Sequence, residues 1–122
     1  MTKEELARLP ALKREVTRTK ERIAKLRGMA TPDDLAAQAA VANLIAVYER
    51  YLARAAREEA VLLQFVERID DPDVRELFLL RYADGIRSWQ RIAFAVGEHD
   101  ESFVRRRHNA YLKKYIQRSA KE

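Results

Sequence analysis

Residues 80–112 read LRYADGIRSWQRIAFAVGEHDESFVRRRHNAYL, and they contain the capping and turn signals that decide the fold. Ser88 can cap a short helix over residues 88–96, and Gly97 can end it because glycine suits the conformation that follows helices. A second helix is predicted from Glu101 to Tyr115. Two short helices that flank a glycine-containing turn, with another helix beside them, are the layout of a helix-turn-helix.

Both short helices have an apolar side and a polar side at helical spacing. The first should bury Ile92, Ala93 and Val96. The second should bury a stripe made of Val104, His108, Tyr111, Leu112 and Tyr115. Its opposite face then exposes Glu101, Ser102, Arg105, Arg106, Asn109 and Lys113.

The exposed residue types of this second helix have direct uses on DNA. Arginine can donate two hydrogen bonds to guanine, and asparagine can form a bidentate pair with adenine. Basic side chains also neutralise phosphates, a role we expect for Lys113, Lys114 and Arg118. The alternative is a solvated face on an ordinary three-helix domain, and the pattern alone leaves that alternative open.

Residues 80–93, LRYADGIRSWQRIA, resemble the fourth region of bacterial sigma factors. Together with VRRRHNAYL at 104–112, they are most similar to small phage and prophage regulators of the ArpU and RinA type, over about residues 70–116. The resemblance implies transcriptional control through double-stranded DNA and leaves a contact to RNA polymerase open. It implies base contacts by Ser102, Arg105, Arg106 and Asn109. The link after Gly97 is slightly longer than in the tightest units, so the first base-contacting position stays open.

Two longer amphipathic segments precede this region. The first helix should run from Thr2 to Arg27 and end at Gly28, with Pro10 either starting or kinking it. The second should run from Pro32 to Ile69, capped by Thr31. The apolar seam of the first helix is Leu9, Leu12, Val16, Thr19, Ile23 and Leu26. That of the second is Val41, Ile45, Tyr48, Leu52, Ala55, Glu59, Leu62, Val66 and Ile69.

The second seam is a heptad repeat with one charged interruption, Glu59. At about 1.5 Å per residue, the second helix would measure roughly 57 Å and the first roughly 39 Å. A hairpin of the two would therefore leave part of the second helix uncovered. We expect an antiparallel, coiled-coil-like stem over residues 1–69, a homodimer through the second helix, and a DNA-binding domain with a basic tail over residues 70–122.

The segment Asp70-Asp71-Pro72-Asp73 marks the boundary between these two parts. Asp71 should cap a third helix with Pro72 as its first residue, and this helix should end at Asp84-Gly85. Chelation of Mg²⁺ by the acidic cluster is the less favoured alternative.

Three further features have a structural interpretation that we prefer to a functional one. His108 should be a hydrogen-bonded core histidine rather than a ligand, and Trp89 should pack against the third helix rather than stack on a base. The cations of the first helix should form a solvated face, with phosphate contact as the minority alternative; they are Arg18, Arg22 and Lys25.

Composition and charge narrow the function classes. The 122 residues carry a net charge of +5 and include two histidines. They contain no cysteine, which excludes disulfides and thiolate sites. The chain has no phosphate-binding loop, zinc-protease helix or hydrolase nucleophile motif, so we expect neither an enzyme nor a bound cofactor or metal. Residues 102–122 hold seven basic side chains and one acidic side chain, a candidate footprint for a polyanion.

We therefore expect an all-α, cytoplasmic regulator that reads double-stranded DNA without catalysis. The longest uncharged stretch, Leu35 to Tyr48, is too short to span a membrane. Two alternatives stay open: a small terminase subunit for phage DNA packaging, which would assemble as a ring, and a protein-interaction module without DNA.

Overall fold

The computed structural model describes residues 1–29 and 33–116, and each regular element in them is helical. No β-strand occurs in these two ranges, so the predicted all-α fold class is confirmed there. The α-helices of the described ranges are α1 (Lys3–Ala7), α2 (Leu9–Met29), α3 (Leu35–Glu67), α4 (Pro72–Phe78), α5 (Trp89–Ala95) and α6 (Glu101–Tyr115).

The predicted first helix is divided into α1 and α2. Thr2 and Glu5 form a reciprocal capping box, in which each side chain accepts the other's backbone N–H at 3.1 Å. The division follows from Pro10, which has no N–H and whose ring crowds the carbonyl of the preceding turn. Pro10 lies in the first turn of α2, so it starts the main helix, one of its two predicted roles.

The predicted ends of the two long helices need correction. Gly28 lies inside α2 and has no positive φ, so it is not the predicted cap. α3 begins at Leu35, where the Asp34 carboxylate accepts the N–H of Ala37 at 3.0 Å, and it ends at Glu67. The predicted caps Thr31 and Pro32 lie outside the described residues.

The start of α4 is as predicted. One carboxylate oxygen of Asp71, Oδ1, accepts the backbone N–H groups of Asp73 and Val74 at 2.9 and 3.4 Å. Pro72 is the first helical residue, where its missing N–H costs nothing.

The end of α4 differs from the prediction. The α-helix stops at Phe78 and continues as a π-helical turn, Leu79–Ala83. In this turn the N–H of Asp84 donates to the carbonyl of Leu79 at 2.9 Å, which is a wider spacing than that of an α-helix. Gly85 then takes a φ of +72°, which favours glycine.

The chain forms two compact units. Unit 1 contains residues 1–10 and the described residues from Ala60 onward, and unit 2 contains residues 11–59. The predicted functional division after residue 69 is a different boundary and stays a prediction.

Unit 1 buries the end of the second seam. Leu62, Val66 and Ile69 are only 5%, 0% and 2% exposed, so the part of the second helix that is expected to be uncovered does not lie at this end. These residues lie in the core of unit 1, where α6 also packs against α4 and α5.

Unit 2 buries the seam of α2 more completely than that of α3. The buried residues of α2 in this unit are Leu12, Val16, Ile23 and Leu26. The α3 positions Val41, Ile45, Tyr48 and Leu52 are only half-buried, whereas Ala55 is buried. The incompletely covered part of the α3 seam therefore lies between Val41 and Leu52.

Candidate nucleic-acid interface

The α5–turn–α6 segment begins and ends at the predicted signals. The Ser88 hydroxyl accepts the N–H of Arg91 at 3.3 Å and caps α5. Gly97 follows α5 with a φ of +81°, and Asp100 caps α6 by accepting the N–H of Ser102 at 2.9 Å. Local capping chemistry thus fixes where α6 starts.

A small apolar core holds α5 and α6 together. Ile92, Ala93 and Val104 are 0%, 3% and 1% exposed, as the sequence pattern predicts, whereas Val96, also expected to be buried, is only half-buried. The far end of the predicted stripe is less covered. Tyr111 and Leu112 are half-buried, and Tyr115 is 57% exposed, so its assignment to the buried stripe is wrong.

The predicted DNA-contacting residues lie on α6 or just beyond it. Arg105, Arg106, Asn109, Lys113 and Lys114 are exposed, and Ser102 is half-buried in the first turn. Arg118 lies outside the described residues. Positions three and four apart share a helix face, so α6 brings Arg105, Asn109 and Lys113 into one row.

The cations of α6 other than Arg107 are available to a ligand. Arg105 forms an ion pair with Glu101 at 3.4 Å, but both side chains are more than 40% exposed, so the pair is weak and easily exchanged. Within residues 1–29 and 33–116, Arg106 and Lys113 have no ion-pair partner. Lys114 lies with its Nζ 5.2 Å from the ring centroid of Tyr115.

Arg107 is used differently from the two arginines before it. Its Nη2 lies 3.1 Å from Asp71 Oδ2, and its Nη1 lies 3.6 Å from Asp73 Oδ2. The pair joins the first turn of α4 to α6 and engages two members of the acidic cluster that we weighed as a Mg²⁺ site. In the described ranges, no group of three or more histidine and acidic side chains could hold a metal ion.

His108 is a buried, hydrogen-bonded histidine, as predicted. Its Nε2 lies 2.7 Å from the Tyr82 hydroxyl, and its Nδ1 lies 3.0 Å from Oδ1 of Asn109. The histidine is 3% exposed and packs against Phe78 in a tilted arrangement, with 4.9 Å between the ring centroids. The π-helical turn after α4 carries Tyr82 to this position.

Burial keeps both members of the Tyr82–His108 pair uncharged. It lowers the pKa of His108 to about 4, and the hydrogen bond to Asn109 only partly offsets this effect. Burial also raises the pKa of Tyr82 to about 12. At neutral pH the imidazole therefore carries one proton and the phenol keeps its own.

Trp89 packs against the π-helical turn, in line with the preferred interpretation, but it is half-buried rather than fully enclosed. The Arg81 guanidinium lies 4.5 Å from one of its ring centroids, and the His108 ring lies at 4.7 Å. Both contacts join Trp89 to other side chains of unit 1.

Unit 2 has a separate feature, an open groove between α2 and α3 with a volume of about 460 Å³. Its lining combines cationic and apolar side chains, among them Arg18, Arg22, Lys25, Leu44 and Tyr48. Arg22 donates to the Tyr48 hydroxyl at 2.9 Å, and Leu44 is 44% exposed. The predicted solvated face of α2 thus borders an incompletely covered part of α3, which we call the apolar strip and which includes Leu44 and Tyr51.

No family model, no curated protein and no solved structure matches this chain. In the described ranges, no helix has both the length and the apolar character needed to cross a bilayer.

Sequence reasoning missed the partners of two α6 residues. Tyr82 is 26 positions from His108, and Asp71 is 36 positions from Arg107. Neither pair has a local spacing signal, because both depend on how α4 and its π-helical extension pack against α6.

Proposed function

We propose that this chain binds double-stranded DNA and regulates transcription in the manner of the phage and prophage proteins that its sequence resembles. The observation that carries this proposal is the exposed face of α6, where arginine, asparagine and lysine lie in one row above a buried core. Arg105, Arg106 and Asn109 supply the base-reading chemistry, and Lys113 and Lys114 supply phosphate contacts.

In this proposal α5, the turn at Gly97 and α6 act as a helix-turn-helix, with α6 in the major groove. Such a unit requires a recognition helix that is fixed to its neighbour and free on its outer face. The near-complete burial of Ile92 and Val104 supports the first requirement. The exposure of Arg105 and Asn109 supports the second.

We also propose that α2 and α3 form an antiparallel stem through which two copies associate. The groove lining supports an antiparallel pairing, because Met29 lies near Leu44 whereas Arg14 lies near Tyr51. Residues 11–29 carry seven basic and two acidic side chains, and residues 33–59 carry three basic and five acidic side chains. A second copy can therefore place its more acidic α3 against the basic α2 while covering the apolar strip at Leu44 and Tyr51.

A salt titration of binding to a duplex DNA probe tests the DNA proposal. The slope of log K against log salt measures the phosphates neutralised, and Arg106→Ala should lower affinity. Arg54→Ala, an equal loss of charge on α3, is the matched control and should bind as the parent chain does. No binding at low salt, or equal losses for both variants, would contradict a role for α6.

Native mass spectrometry separates the regulator from the packaging alternative. A dimer is expected for the regulator, whereas a large ring would favour a small terminase subunit. A chain that associates with proteins but shows no salt-dependent DNA binding would favour the interaction module.

A further inference from the structure

Among the proposed base-reading residues, Asn109 is hydrogen-bonded to a buried side chain, His108. Its Oδ1 lies 3.0 Å from His108 Nδ1, and His108 Nε2 lies 2.7 Å from the Tyr82 hydroxyl. Arg105, by contrast, forms its ion pair with the exposed carboxylate of Glu101. The orientation of the Asn109 amide is therefore linked to the core of unit 1.

The direction of proton donation along this chain follows from its buried end. Among the described residues, His108 Nε2 is the acceptor within reach of the Tyr82 hydroxyl proton. A proton on Nε2 would leave that buried phenol without an acceptor, which is costly. Nε2 therefore accepts from Tyr82, and the single proton of the neutral ring lies on Nδ1 and is donated to Asn109 Oδ1.

We propose, on the basis of the DNA-binding function proposed above, that Tyr82 and His108 are positioning residues that orient the Asn109 amide to read adenine. A carbonyl oxygen has two lone pairs, so Oδ1 keeps one acceptor site beside the two N–H donors of Nδ2. That acceptor and donor match N6 and N7 of adenine in the major groove. An amide flipped by 180° would present them in the reverse order and lose the match.

The gain from this arrangement is preorganisation. Fixing a side chain before binding avoids an ordering cost of roughly 0.5–1.5 kcal/mol, which corresponds to about 2- to 10-fold in affinity. Loss of the Tyr82 hydroxyl should therefore reduce the preference for adenine by that factor while phosphate contacts persist.

The first test needs no DNA. Two-bond ¹H–¹⁵N NMR of the full chain at pH 7 distinguishes the histidine tautomers, and the exposed His99 provides an internal reference. We expect His108 to be protonated on Nδ1, and Tyr82→Phe to populate both tautomers because Nε2 then has no donor. An Nε2-protonated ring in the parent chain would overturn the proposal.

The second test is selection from a pool of randomised DNA duplexes. The parent chain should enrich adenine at one position, Asn109→Ala should abolish that enrichment, and Tyr82→Phe should reduce it about 2- to 10-fold. Thr17→Val, which removes an exposed hydroxyl of α2 outside the groove lining, is the control and should leave it unchanged.

The outcomes of the selection are separable. Full adenine enrichment in Tyr82→Phe, or a loss at all positions together, would overturn the positioning role. A parent chain that enriches no sequence would contradict the proposed reading function, and the tautomer measurement would still decide whether the hydrogen-bond chain exists.

Discussion

Asp71 and Arg107 form an ion pair in which Nη2 of the arginine lies 3.1 Å from Oδ2 of the aspartate. The other carboxylate oxygen of Asp71 caps α4 through the N–H groups of Asp73 and Val74. One side chain thus both caps α4 and holds α6. Because the two roles use different carboxylate oxygens, substitution can separate them.

Asp71→Ala should lower the free energy of unfolding by about 1–2 kcal/mol, because it removes the cap and the ion pair together. Asp71→Asn keeps a capping oxygen and loses the charge, so it should cost less than about 1 kcal/mol, as expected for a partly exposed pair. Chemical denaturation of both variants measures the difference. Equal losses would show that the cap contributes nothing.

The features that sequence predicted correctly depend on neighbours within a turn or two. The caps at Asp71 and Ser88, and the burial of Ile92 and Val104, follow from local chemistry and helical spacing. Sequence reasoning fails where burial depends on coverage by distant segments: Tyr115 continues the helical stripe of α6 and yet is exposed. The DNA contacts were predicted from residue types and a resemblance, and they remain predictions.

Ile92→Ala should destabilise the protein by about 2–5 kcal/mol, because the side chain is fully buried between α5 and α6. Phe94→Ala on the same helix is the control. Phe94 is 86% exposed, so its removal should change stability by less than about 0.5 kcal/mol. Thermal unfolding checks both variants, and an unchanged Tm for Ile92→Ala would contradict the packing described for α5. DNA binding by Ile92→Ala should weaken only through unfolding.

Acid should destabilise the protein through His108. Its pKa is about 4 in the folded chain and about 6.5 when unfolded, so the unfolded state binds more protons between these values. Stability contributed by the neutral ring is full above pH 6.5 and falls as the pH drops towards 4, by roughly 3 kcal/mol in total.

Denaturation of the parent chain and of His108→Phe at pH 7, 5.5 and 4 isolates this contribution from that of the carboxylates. As the pH falls, the parent chain should lose more stability than His108→Phe does, because only the parent chain has a buried imidazole to protonate. His99→Gln removes an exposed histidine and serves as the control. A constant difference across the pH range would show that His108 titrates alike in both states.

Association through unit 2 should depend on the apolar strip of α3. Light scattering at micromolar concentration should give twice the chain mass of 14.2 kDa. Tyr51→Glu places a charge in the strip and should yield a monomer, because a buried unpaired carboxylate is costly. Ala53→Glu, on an exposed position outside the groove lining, should remain a dimer. A parent chain that is monomeric would refute the dimer and leave the DNA proposal untouched.

The most direct test of the central claim compares Arg105→Ala with Lys113→Ala on a selected duplex and on a scrambled duplex at several salt concentrations. Arg105→Ala should lose about 1–3 kcal/mol of binding free energy on the selected duplex and much less on the scrambled duplex, because a bidentate contact to guanine is sequence-specific. Lys113→Ala should weaken both duplexes alike and lower the salt slope by about one unit. Equal losses on both duplexes for Arg105→Ala would contradict the claim that α6 reads the sequence of DNA.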